Sequence, residues 1–88
     1  MNILIDNRLF KWDDEKATLN WRKHRVDFEV AAKVFDAPYR IEEFDTEHSD
    51  YEDRWKVIGM VNDILFVIYT ERDESTRLIS ARKPNSIS

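Results

Sequence analysis

The sequence has no cysteine, which removes disulfides, zinc–thiolate sites and thiol nucleophiles at once. That fits a reducing compartment, and a cytoplasmic location is the expectation. One glycine and two prolines leave little flexible punctuation, and no linker, repeat or low-complexity segment appears in the 88 residues. A single domain over 1–88 with one small core is expected, with residues 1–8 and 84–88 as loose ends. No apolar run approaches the roughly 18 residues of a membrane span, and the first six residues lack the pattern of a signal peptide. No membrane association is expected. Surplus positive charge is missing too. A net charge of −4 argues against a protein that coats nucleic acid nonspecifically.

What charge there is lies unevenly. From Asp36 to Asp53 the acids Asp36, Glu42, Glu43, Asp45, Glu47, Asp50, Glu52 and Asp53 face Arg40 alone. Arg22, Lys23 and Arg25 precede this stretch, and Arg54, Lys56, Arg72, Arg77, Arg82 and Lys83 follow it. The pattern permits a basic cleft beside an acidic flank.

The periodicity predicts a short strand over 9–12, ended by Asp13-Asp14, either of which can cap a helix running to about His24. Ala17, Trp21 and His24 share one stripe of that helix, and Lys16, Asn20 and Lys23 the more polar neighbouring one. A second helix starts after Asp27, buries Val30, Ala31, Val34 and Phe35, and stops before Pro38. Arg25 stands where a left-handed residue, usually glycine, would end the first helix. Strands are expected over 39–44, 54–60, 64–70 and 76–82, with an acidic loop over 46–53; the run 64–70 is apolar on both faces and therefore central. The fold class is α+β, two N-terminal helices on one face of a largely antiparallel sheet of four to five strands.

These residues resemble the BrnT toxins of bacterial type II toxin–antitoxin systems, small RNA-cleaving proteins with a RelE-like fold. The matching pieces are Phe10-Lys11-Trp12-Asp13 with Lys16 and Asn20, then Lys23-His24, Val26 and Phe28-Glu29. Val34-Phe35-Asp36, His48-Ser49, Glu52, Arg54-Trp55 and Ile58-Gly59 follow, and then Tyr69-Thr70-Glu71-Arg72, Arg77 and Ile79-Ser80-Ala81-Arg82. Two departures stand out: Arg25 replaces the family's usual glycine, and the C-terminal helix that the family carries is missing. The resemblance implies a metal-independent endoribonuclease that inhibits translation, with an RNA substrate and no cofactor. It also implies a hetero-oligomer with a BrnA-like antitoxin, through which alone DNA would be contacted. In that picture the acidic segment 42–53 or the basic cleft receives the antitoxin. The alternative is an inactive RelE-like module that binds RNA or protein.

Metal-free cleavage of RNA needs the 2′-oxygen deprotonated, the extra phosphate charge stabilised and the 5′-oxygen protonated. Arg72, Arg77 and Arg82 are the candidate phosphate clamp, since guanidinium binds phosphate through a planar fork of donors. If 76–82 is a regular strand, Arg77 and Arg82 point to opposite faces, which favours Arg77 with Arg72. Glu52 and Glu71 are the candidate bases, and a salt bridge from Glu71 to Arg72 or Arg77 is the competing reading. Lys23 is a further catalytic candidate, against simple complementation of the helix dipole. Arg54, Tyr69 and His24 are candidate RNA contacts; Tyr69 is expected to bring its hydroxyl out near Glu71, and His24 is read first as a packed, hydrogen-bonded histidine. His48 with Asp45 and Glu47 is a weak metal pattern and none is assigned. Trp12, Trp21 and Trp55 fall on half-apolar segments, so core packing is expected of all three.

Overall fold

The chain begins with a hairpin rather than a loose end. In the computed structural model, which describes residues 1–48 and 51–84, strand β1 (Asn2–Ile5) pairs antiparallel with β2 (Arg8–Lys11), Ile3 opposite Phe10. Asp6 and Asn7, both at positive φ, form the two-residue turn between them. The apolar run Ile3-Leu4-Ile5 is too short to announce a strand, yet Ile3 and Ile5 pack against the core. At the other end, 85–88 lie outside the described residues, as do Ser49 and Asp50 of the expected acidic loop.

Both helices start where the sequence predicts and the first stops there; the second ends at Ala32 rather than just before Pro38, and Val30 is only partly buried. Asp13 caps α1 (Asp14–His24) by accepting a hydrogen bond from the Glu15 amide at 2.8 Å, and Asp27 does the same for α2 (Phe28–Ala32) through the Glu29 amide at 2.7 Å. Arg25 is left-handed at φ 57° and returns its amide to the Trp21 carbonyl at 2.9 Å. A 3-10 turn over Lys33–Asp36 carries the chain on from α2, and Ala37 is extended because proline follows it.

Four more strands complete the sheet: β3 (Ile41–Phe44), β4 (Trp55–Val61), β5 (Asp63–Arg72) and β6 (Ser75–Arg82). The order is β1-β2-β6-β5-β4-β3, so the sheet has six strands, not four to five, and β5 is central. Every neighbouring pair is antiparallel except β2 with β6, where Phe10 stands beside Thr76 and Lys11 beside Arg77. Both helices cover one face. There Phe10, Phe28, Val34, Val57, Val67 and Leu78 are almost fully buried, each side chain contributing about 1.5–3 kcal/mol. Gly59 lies under the 3-10 turn, where a Cβ would come within 2.9 Å of Val34 Cγ1. No helix follows β6 among the described residues.

One irregularity governs the rest. Ile68 pairs with Ser80 but Tyr69 with Leu78, so Ile79 is an extra residue on β6. Leu78 and Ala81, three apart, therefore both face the helices. For the same reason Arg77 and Arg82 share the opposite face, which overturns the expectation for a regular strand. Just past this bulge the Asn20 amide accepts from the Ala81 amide at 3.0 Å and donates to the carbonyls of Ala81 at 2.8 Å and Val26 at 3.1 Å. Asn20 is thus buried, not part of a polar stripe.

Two stability changes follow. Asn20→Ala strands buried backbone groups and should cost about 2–3 kcal/mol in chemical denaturation. Arg25→Gly relieves the left-handed backbone and should stabilise by roughly 1 kcal/mol in the same measurement.

Candidate functional site

Alternation along the strands sorts the charged residues between two faces. On the helix side, Glu71 Oε1 accepts from Arg8 at 3.0 Å and from the Thr76 hydroxyl at 3.1 Å, and Arg8 lies 4.4 Å from the centre of the Phe35 ring. Glu71 therefore pairs with Arg8 and with neither Arg72 nor Arg77. Tyr69 is buried on this side, edge-on to Phe35, and its hydroxyl donates to Glu42 at 3.0 Å. Burial first, then the Glu42 carboxylate, pushes its ionisation far above the ordinary phenol range. The expected exit of the hydroxyl toward Glu71 is replaced by this internal bond.

The other face carries no helix among the described residues. Lys11, Arg77 and Thr70 form a row across β2, β6 and β5, neighbouring strands being about 4.8 Å apart. Arg82 sits over the Phe66 ring at 4.9 Å, and Lys56 is 5.9 Å from the same ring while pairing with Glu43 at 3.1 Å. Lys11, Arg77 and Arg82 have no carboxylate partner among the described residues. Arg77 and Arg82 are separated by roughly 16 Å of strand, which suits successive phosphates better than a shared one. Arg72 is committed to Glu52 at 2.8 Å, bracing the hairpin tip against the segment before β4. A cationic, partly aromatic surface results.

The family profile described as the ribonuclease toxin BrnT of type II toxin–antitoxin systems matches residues 12–86. The chain belongs to this family. The crystal structure at 1.1 Å resolution of the Brucella abortus ribonuclease toxin BrnT is similar, with a TM-score of 0.66 and 25% identity over 86% of this chain and 95% of that one. No curated protein matches. Membership of the BrnT toxins brings an antitoxin partner with it, and no helix among the described residues is long and apolar enough to cross a membrane.

The remaining candidates scatter. Lys23 is exposed on the last turn of α1, and Arg54 is half-buried just before β4. His24 sits at the end of α1 with Nδ1 buried and without a hydrogen-bond partner, so it is packed but not bonded there as expected. Trp12 is core, whereas Trp21 and Trp55 are 47% and 37% exposed. Thr46–His48 forms a 3-10 turn, and the His48 side chain lies outside what is described. Lys11, Lys56 and Phe66 escaped the sequence reading. The signal for Lys11 was its place between Phe10 and Trp12, which turns it away from the core.

Desolvation, then Lys23 and Arg82, lowers the His24 pKa below the ordinary imidazole value of 6.5. The unfolded chain thus binds a proton as pH falls through about 6.5 while the folded chain does not, and stability is lost on acidification. His24→Gln should flatten the fall in melting temperature below pH 6.5; an unchanged slope would contradict this account.

Proposed function

We propose that this BrnT-family chain is a metal-independent endoribonuclease that cleaves RNA on the open face of its sheet, inhibits translation and is neutralised by a BrnA-like antitoxin. The observation that supports it best is the row of Lys11 and Arg77, two cations on adjacent strands with no carboxylate partner among the described residues. In this reading Arg77 and Lys11 hold the scissile phosphate and stabilise the charge that builds as the 2′-oxygen–phosphorus bond forms and the bond to the 5′-oxygen breaks. The Lys11 ammonium returns a proton to the 5′-oxygen. Arg82, spread on Phe66, offers a flat guanidinium for a neighbouring phosphate or base. His24, toward the Arg82 end of the strand, is placed for contact with a flanking nucleotide, and the 2′ proton passes to solvent water. Arg72 and Glu52 brace the site as a pair, while Glu71 and Tyr69 support it from the helix side.

The turn of Glu71 to the opposite face favours a second reading, in which the surface binds RNA without cutting it. Incubation of a purified single-stranded RNA with the chain in EDTA separates the two. Wild-type cleavage should fall about 100-fold in Arg77→Ala, with an unchanged melting temperature. RNA binding without cleavage by the wild type would establish the binding module. Equal cleavage by wild type and variant would refute Arg77 as the clamp.

A further inference from the structure

We propose that the exposed β3 edge is the docking site of the antitoxin, where a basic, strand-forming segment of that partner adds to the sheet as a further strand. This inference rests on the toxin reading above. All four residues of β3 are exposed, and β3 is one of the two edges of the sheet. Apolar side chains flank it on both faces. Toward the open face, Tyr39, Ile41, Met60 and Ile64 are 92%, 58%, 59% and 43% exposed and line a groove of about 400 Å³ with Pro38 and Ile58. Toward the helix face, Phe44 meets Trp55 edge-on at 5.2 Å, and both are substantially exposed. An uncovered edge with apolar residues on both faces favours pairing with another chain. An added strand that alternates its side chains would fill both apolar patches at once.

Charge selects the occupant. On β3 and in the turn after it, Glu42, Glu43, Asp45 and Glu47 stand against Arg40 over residues 40–47, a local charge of −3 in a chain of −4. RNA would be repelled by such an edge. A second copy of the chain would set two acidic edges against each other, which disfavours self-pairing. A partner segment with basic residues around an apolar strand meets both requirements. The edge lies three strand spacings, roughly 14 Å, from β6 and its arginines, so docking and RNA contact use separable residues.

The probe is the purified product of the antitoxin gene beside this chain's own gene, titrated calorimetrically into wild type and into Ile41→Asp/Met60→Asp. The double variant should bind about 100-fold more weakly, while its melting temperature and RNA cleavage match the wild type. Amides 42–44 should exchange hydrogen more slowly in the wild-type complex. Tyr39→Ala, at a nearly fully exposed side chain, should also weaken binding and serves if the double variant is misfolded. Undiminished affinity, unslowed exchange, or loss of binding only in Arg77→Glu would overturn the proposal. So would a wild-type dimer in sedimentation that the double variant abolishes, since a second copy would then hold the edge. Failure of the wild type to cut RNA would sink the nuclease reading alone, because binding and exchange remain readable.

Discussion

The arrangement of both sheet faces depends on three hydrogen bonds made by one side-chain amide. Beyond Arg77, β6 outruns β2, and the outward N–H and C=O of Ala81 have no strand to meet. Asn20 supplies donor and acceptor in the place of a neighbouring strand, and its third bond ties in the corner between α1 and α2 at Val26. Unmet, each of these buried groups would cost about 1–3 kcal/mol. The clamp thus holds β6 in the register that follows the bulge at Ile79, and that register sets which face each later residue occupies. Arg82 lies on the same side as Arg77 because of it.

Against this, the ion pairs contribute little to holding the fold. Arg8–Glu71, Arg40–Glu42, Lys56–Glu43, Arg72–Glu52 and Lys83–Asp63 all involve substantially exposed groups, and such pairs are worth about 0–1 kcal/mol each. Their effect is positional. Arg8 is fixed between the Phe35 ring, Thr76 and Glu71, which keeps that carboxylate on the helix side and away from Arg77. With Glu52 held by Arg72, the open face keeps an excess of cations.

Local chemistry was legible in the sequence where it acts over a few residues. Asp13 and Asp27 as caps, Arg25 as a left-handed terminus and Pro38 as a stop all follow from the backbone needs of a helix end. The family was legible as well, because an ordered set of short pieces survives where no single piece is specific. Strand neighbours were not. Nothing local says that β2 lies parallel to β6, so Lys11 beside Arg77 and Arg8 beside Glu71 could not be read from spacing. The bulge was hidden too, since Ile79 differs in no way from a regular strand residue. Strict alternation, applied to β5, would have sent Tyr69 and Glu71 together to one face and set them apart from Thr70, the partner of Arg77.

A net charge of −4 looked unfavourable for an RNA-binding protein, and the fold shows why net charge misleads. Glu42, Glu43, Asp45 and Glu47 lie on and just after β3, while Lys11, Arg77 and Arg82 lie on the open face. Roughly 14 Å of sheet separates β3 from β6, and at physiological salt the Debye length is about 8 Å. The acidic edge is therefore largely screened from a phosphate at Arg77, which responds to the adjacent Lys11. The same screening lets one small sheet carry opposite potentials at its edge and on its face. A polyanion and a basic peptide can then be received on one domain without competing for the same charges.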